Sequence, residues 1–119
     1  MNKLIAWVEI PVSDMTKAIS FYNAVFNLSL KALDFGHEEM ALFPNDEGAL
    51  SKAKNFASST NGTLVSLNAP DNMDDTISRI ITHGGKIVIP KTKIEAEGRG
   101  YFSTFIDCEG NRIGLYSHA

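Results

Sequence analysis

Hydrophobic and polar positions alternate with period two from Leu4 to Val12, which predicts a strand with Ala6, Val8, Ile10 and Val12 on one face and Ile5, Trp7, Glu9 and Pro11 on the other. The period then changes. Ala18, Ile19, Tyr22, Val25 and Phe26 recur at helical spacing behind Ser13-Asp14, which caps free N–H groups, and Asn27 ends the run. Three short extended segments follow, near 28–35, 38–44 and 48–53, separated by Gly36-His37 and by Pro44-Asn45-Asp46-Glu47-Gly48. Residues 54–62 are polar and small, and the order then begins again. A strand at 63–69 precedes a helix opened by Asp71 and closed by His83-Gly84-Gly85, and strands near 86–89, 100–106 and 111–117 complete the set. Pro90 to Gly98, with Lys91, Lys93, Glu95 and Glu97, reads as a loop.

One strand, one helix and three strands thus occur twice. Residues echo the order: Met15 with Ile19-Ser20 matches Met73 with Ile77-Ser78, and Phe43 with Glu47-Gly48 matches Phe105 with Glu109-Gly110. The expected organisation is one domain over 1–119, with repeat one at 1–56, a linker at 57–62 and repeat two at 63–119. At 119 residues the chain has room for one core of ordinary size.

Composition narrows the function. A net charge of -3 and the lack of any Lys/Arg stripe argue against nucleic acid as a partner. The N-terminal stretch carries Lys3, Glu9 and Pro11 and fits neither a signal peptide nor a membrane span, so a cytoplasmic protein is expected. Cys108 is the only cysteine; with no histidine near it in sequence, it reads as an ordinary half-buried thiol.

Two segments carry a family resemblance: Ile-Pro-Val-Ser-Asp-Met with Ala-Ile-Ser-Phe-Tyr at 10–22, and Phe-Ile-Asp-Cys-Glu-Gly-Asn-Arg-Ile-Gly-Leu at 105–115. They resemble the opening strand and helix, and the closing hairpin, of the vicinal oxygen chelate superfamily, which includes glyoxalase I, extradiol dioxygenases and bleomycin-resistance proteins. The resemblance implies an α+β fold of two βαβββ repeats, with curled mixed sheets around a cavity that a homodimer often completes. It also implies a divalent metal held by one side chain from the first and last strand of each repeat, usually His and Glu. Motif spacing puts those four positions on Trp7, Leu64, Lys52 and Gly114. An indole, an isobutyl group, a protonated amine and a hydrogen are poor ligands, so no metal and no other cofactor is expected. His37 in a turn, His83 at a helix end and His118 near position 119 lack ligand spacing.

The expected site is therefore a ligand cavity formed by Trp7, Glu9, Phe43, Lys52, Leu64, Ser66, Phe105, Arg112, Gly114 and Tyr116. Glu9 is the candidate catalytic group. If desolvated between Trp7 and Pro11 it would suit a general base or a polar anchor, and otherwise it would pair with Lys52 or Arg112 as a structural ion pair. Trp7 and Tyr116 either line an open cavity or plug it, while Phe21, Tyr22 and Phe26 read as helix packing. The Lys91–Gly100 loop, with Gly98 and Gly100 as hinges around Arg99, is either a lid or a solvated hairpin. Three functions follow: a metal-independent binding protein for a small molecule; a lyase, isomerase or dioxygenase-type enzyme using Glu9 or a metal site in another place; or an interaction module with a closed core.

Overall fold

The computed structural model describes residues 3–119. Its order is β1 (Val8–Pro11), α1 (Met15–Phe26), β2 (Ala32–Asp34), β3 (Glu38–Leu42), β4 (Gly48–Ala53), β5 (Val65–Asn68), α2 (Met73–Thr82), β6 (Lys86–Lys93), β7 (Tyr101–Ile106) and β8 (Arg112–Ser117), with one 3-10 turn at Pro44–Asp46. The strands form two mixed four-stranded sheets, ordered β1-β4-β3-β2 and β5-β8-β7-β6. In each, the first strand of a repeat pairs in parallel with the last, and the other pairs are antiparallel. This is the α+β architecture with a duplicated pattern expected from the sequence.

Local chemistry accounts for the helices. The Asp14 side chain accepts the Lys17 N–H at 3.1 Å, and Asn27 takes the left-handed conformation that closes α1. In the second helix the cap is Asn72 rather than Asp71: its side-chain oxygen accepts the Asp75 N–H at 2.8 Å, and Asp71 stands outside, facing Arg79 at 3.8 Å. The Pro90–Gly98 segment also differs from expectation, because β6 continues through Pro90 to Lys93. As the outer strand of its sheet it tolerates a residue with no N–H and carries lysines on an uncovered edge. The remaining residues close a tight hairpin, with the Ile94 N–H donating to Gly100 O at 3.0 Å.

One apolar core joins the repeats. Ile10, Phe21, Tyr22, Val25 and Leu50 from the first half are buried together with Met73, Ile80, Phe105, Ile113 and Leu115 from the second. The β7–β8 hairpin fastens this interface. Its Glu109 carboxylate accepts from the Ser13 and Asp14 N–H groups at 2.6 and 3.0 Å, at the start of α1. The Asn111 amide donates to Pro11 O at 2.8 Å, and buried Asp107 accepts the Tyr22 hydroxyl at 2.6 Å.

Two groups here hold their protons tightly. Burial, reinforced by the neighbouring Asp107 carboxylate, pushes the Tyr22 phenol well above its ordinary range. Burial, followed by the Asp107 and Glu109 charges, raises the Cys108 thiol from 9.0 to about 12. Well below pH 9 both groups are protonated in the folded and unfolded chain alike, and their contribution to stability is complete. As pH rises from 9 toward 12 the unfolded chain releases protons that the folded chain keeps, so stability falls. Melting temperature is expected to decline over that window, and less steeply in Cys108→Ser. Superimposable alkaline profiles for the two proteins would contradict the thiol's share.

Candidate ligand cavity

The strand register settles which side chains face which way, because residues paired across neighbouring strands share a face. In the first sheet, Ile10, Leu50 and Ala41 align and are buried against α1. The opposite, open face carries Glu9, Ala49 and Leu42 in one row and Pro11, Ser51 and Met40 in the next. In the second sheet, Ile113 and Phe105 face the core with Val65, while Ser66, Gly114 and Thr104 form a row on the open face.

Against this frame two expected cavity residues are misplaced. Lys52 pairs with Glu39 and lies two residues beyond Leu50, hence on the helix side; it borders a polar surface hollow with Asp34 and His37 instead. Phe105 is fully buried, its ring 6.4 Å from both Phe21 and Phe26, and belongs to the core.

The Lys52 displacement has a definite cause. Glu9 and Ser66 hold equivalent places in their repeats, and their partners across the parallel pair are Ala49 and Gly114. Ala49, not Lys52, is thus the counterpart of Gly114. The turn residue four positions earlier is Asn45 in one hairpin and Gly110 in the other, both with positive φ, at 63° and 90°. The first hairpin is the shorter: four residues separate Phe43 from its partner Gly48, and seven separate Phe105 from Ile113. The Glu-Gly echo at 47–48 and 109–110 is therefore out of phase. The signal that locates the turn is Pro44-Asn45, since asparagine accepts the left-handed conformation.

Three expected residues converge. Trp7, Glu9 and Arg112 line a cavity of about 470 Å³ that opens to solvent, with Phe56, Pro11 and Val65 among its apolar walls. The Trp7 indole N–H donates to Glu9 Oε2 at 3.2 Å. Glu9 is exposed, so the desolvation expected of a general base is missing, and among the described residues it forms no ion pair with Lys52 or Arg112. The Arg112 backbone N–H donates to Ser59 O at 3.2 Å, and its side-chain Nε is buried without a hydrogen-bond partner.

The other expected residues fall nearby or apart. Ser66 and Phe43 border an adjacent hollow of about 420 Å³. Gly114 and Tyr116 lie on the open face outside both walls, the Tyr116 hydroxyl 3.5 Å from His118 Nδ1. Leu64, 49% exposed, sits between two cavity-lining neighbours, Thr63 and Val65. No residue of 90–100 reaches the cavity, and Gly100 packs against the Ser117 backbone. Sequence reasoning missed the 54–62 stretch, whose Phe56, Ala57 and Ser59 form one wall; a large aromatic within that small, polar stretch is the available signal.

With the correction, the four ligand positions implied by the resemblance are Trp7, Leu64, Ala49 and Gly114, and these residues do not fit a divalent cation. None offers a basic oxygen, nitrogen or sulfur. Nor is there room for a longer group: a Cβ on Gly114 would run into the Ser66 hydroxyl and lie 3.2 Å from Ser66 Cβ. Among the described residues, no three His, Cys, Asp or Glu side chains converge on one point.

The fold matches solved structures closely. Glyoxalase I from Zea mays aligns with a TM-score of 0.70 at 16% identity, covering 95% of this chain and 45% of that one, so the chain spans about half its length. The fosfomycin resistance protein FosX from Listeria monocytogenes, solved with Mn(II) and sulfate, aligns at 0.69 with 16% identity over 100% of this chain and 93% of its own. A glyoxalase/bleomycin resistance protein/dioxygenase family enzyme from Burkholderia phytofirmans aligns at 0.68 with 12% identity, covering 97% of this chain and 98% of that one. No curated protein matches the sequence significantly. The family model for the Glyoxalase/Bleomycin resistance protein/Dioxygenase superfamily matches residues 4–115, nearly the whole chain, and the protein belongs to that superfamily.

Proposed function

We propose that this chain is a metal-independent binding protein of the cytoplasm that takes a small molecule into the Trp7–Glu9–Arg112 cavity. The observation that carries the reading is chemical. The positions from which a metal would be held present an indole, an isobutyl group, a methyl group and a hydrogen, while a cavity of about 470 Å³ lies beside them. That volume falls in the range of small-molecule sites, which are mostly apolar with a few polar groups fixing orientation. Trp7 supplies a flat surface for stacking, and Glu9 supplies an acceptor beside it.

A homodimer fits the same picture. Leu33, Leu42, Trp7 and Leu64 are each at least 40% exposed, and the first three lie on or beside the open face of the first sheet. The accessible surface of 7464 Å² also exceeds the roughly 6,300 Å² of a compact monomer of this mass. A second copy covering this face would enclose the cavity further. Among the described residues no helix is long and apolar enough to cross a membrane.

The enzymatic alternative needs a metal site in another place, for which no three ligating side chains converge among the described residues, or else Glu9 as base. The exposure of Glu9 to water and its bond to the indole favour an anchoring role over proton abstraction. Both readings meet in one experiment. After incubation with nickel, zinc, manganese and iron salts and removal of free ion, the protein is expected to retain less than one metal per chain and to show no lactoylglutathione lyase activity. Stoichiometric metal, or turnover, would refute the metal-independent reading.

A further inference from the structure

The charge inside the cavity points to what it holds. Arg112 opens β8, and its row partner across the antiparallel pair is Ile106. The guanidinium is a cation with donors only, so it needs either water or an anion beside it. Within the chain it has neither a carboxylate at ion-pair distance nor a hydrogen-bond acceptor for its buried Nε, among the described residues. The ion pairs present, Arg79 with Asp71 and Lys91 with Asp74, lie elsewhere. No carboxylate among the described residues neutralises this half-buried guanidinium, so a ligand entering the cavity meets it uncompensated.

Glu9 is the one carboxylate among the cavity's lining residues and would oppose an anion. It is exposed, however, and one of its oxygens already accepts the Trp7 indole N–H. Solvent screens an exposed charge more than a half-buried one, and of the two charges lining the cavity Arg112 is the half-buried one.

We propose that the cavity selects organic anions, with a carboxylate, phosphate or phosphonate end on the Arg112 guanidinium and an apolar, preferably aromatic body along Trp7, Phe56 and Pro11. This deepens the binding-protein reading above and rests on it. The anion would accept from the two terminal guanidinium nitrogens together, a geometry open to arginine and closed to lysine.

Trp7 is the sole tryptophan of the chain, so its fluorescence reports on this cavity. Phenylacetate and phenyl phosphate are titrated against it, beside neutral phenylacetamide and cationic phenethylamine, using the full chain, Arg112→Gln and Arg112→Lys. The two anions are expected to bind about tenfold more tightly than the amide. Arg112→Gln should abolish that preference by weakening the two anions more than the amide, and Arg112→Lys should retain only part of it. Equal affinity for amide and anions, or a preference that survives in Arg112→Gln, overturns the role of Arg112 and leaves the cavity reading intact. No response from any of the four probes overturns both. Should Arg112→Gln fail to fold, the charge series on the unmodified chain and the lysine variant still decide.

Discussion

Asp107→Ala is expected to lower the melting temperature by about 10–25 °C, corresponding to roughly 3–5 kcal/mol for removing the acceptor at the centre of a buried network. The carboxylate is 3% exposed and accepts four hydrogen bonds: the Tyr22 hydroxyl at 2.6 Å, the Glu109 and Asn111 N–H groups at 2.8 and 2.9 Å, and the Asn111 amide at 3.2 Å. Alanine leaves the Tyr22 hydroxyl and two backbone N–H groups without their acceptor, and the Asn111 amide with Pro11 O alone. Two of them shape the hairpin that carries Glu109 to the start of α1, so the loss extends to the contact between repeats. Tyr22→Phe, which removes a single bond from the same network, should cost about 1–2 kcal/mol. Thermal melts followed by circular dichroism make the comparison. Equal losses in the two variants would mean that the carboxylate serves the tyrosine alone.

Phe105→Ala is the second large effect, with an expected loss of about 3–5 kcal/mol. The ring is fully buried, and its aromatic neighbours, Phe21 and Phe26, come from the helix of the other repeat. Its removal opens a void at the seam between the halves. At temperatures where the variant remains folded, Trp7 fluorescence titrations with phenylacetate should match those of the unmodified protein, because Phe105 does not line the cavity. A large change in binding with little change in stability would return Phe105 to the site. Since Asp107 and Phe105 brace the same seam, the double variant should depart from simple additivity.

What the sequence discloses, and where it stops, follows from the range of the forces involved. The first helix is legible because its signals are local: Asp14 and Asn27 act on backbone groups within a few residues, and the apolar stripe lies between them. The β1 faces are legible because period two is a property of one strand, and this brought Trp7 and Glu9 to the same wall. The facing of Lys52 is not legible, because it depends on the pairing of β4 with β1 and β3, which no window of sequence contains; a three-residue difference between hairpins is enough to reverse it. The extension of β6 through Pro90 was hidden for a related reason, since an outer strand with one free edge looks locally like a charged loop. The face of Arg112 is legible, but the cavity around it depends on walls from the 54–62 stretch and from β1, far away in sequence.

The unequal hairpins make the two halves no longer interchangeable. The long one spans the seam and grips the opening of α1, whereas the short one ends beside β5 and leaves a crevice of about 150 Å³ among Phe43, Pro44, Glu47, Leu67 and Asn68. A synthetic tandem of two first halves would possess every strand and helix yet no clasp, and should come apart into loosely associated lobes. Two second halves would carry a clasp each, competing for helix openings that were never shaped to receive both. Whatever ancestral symmetry the chain began with, its present cohesion is one-sided.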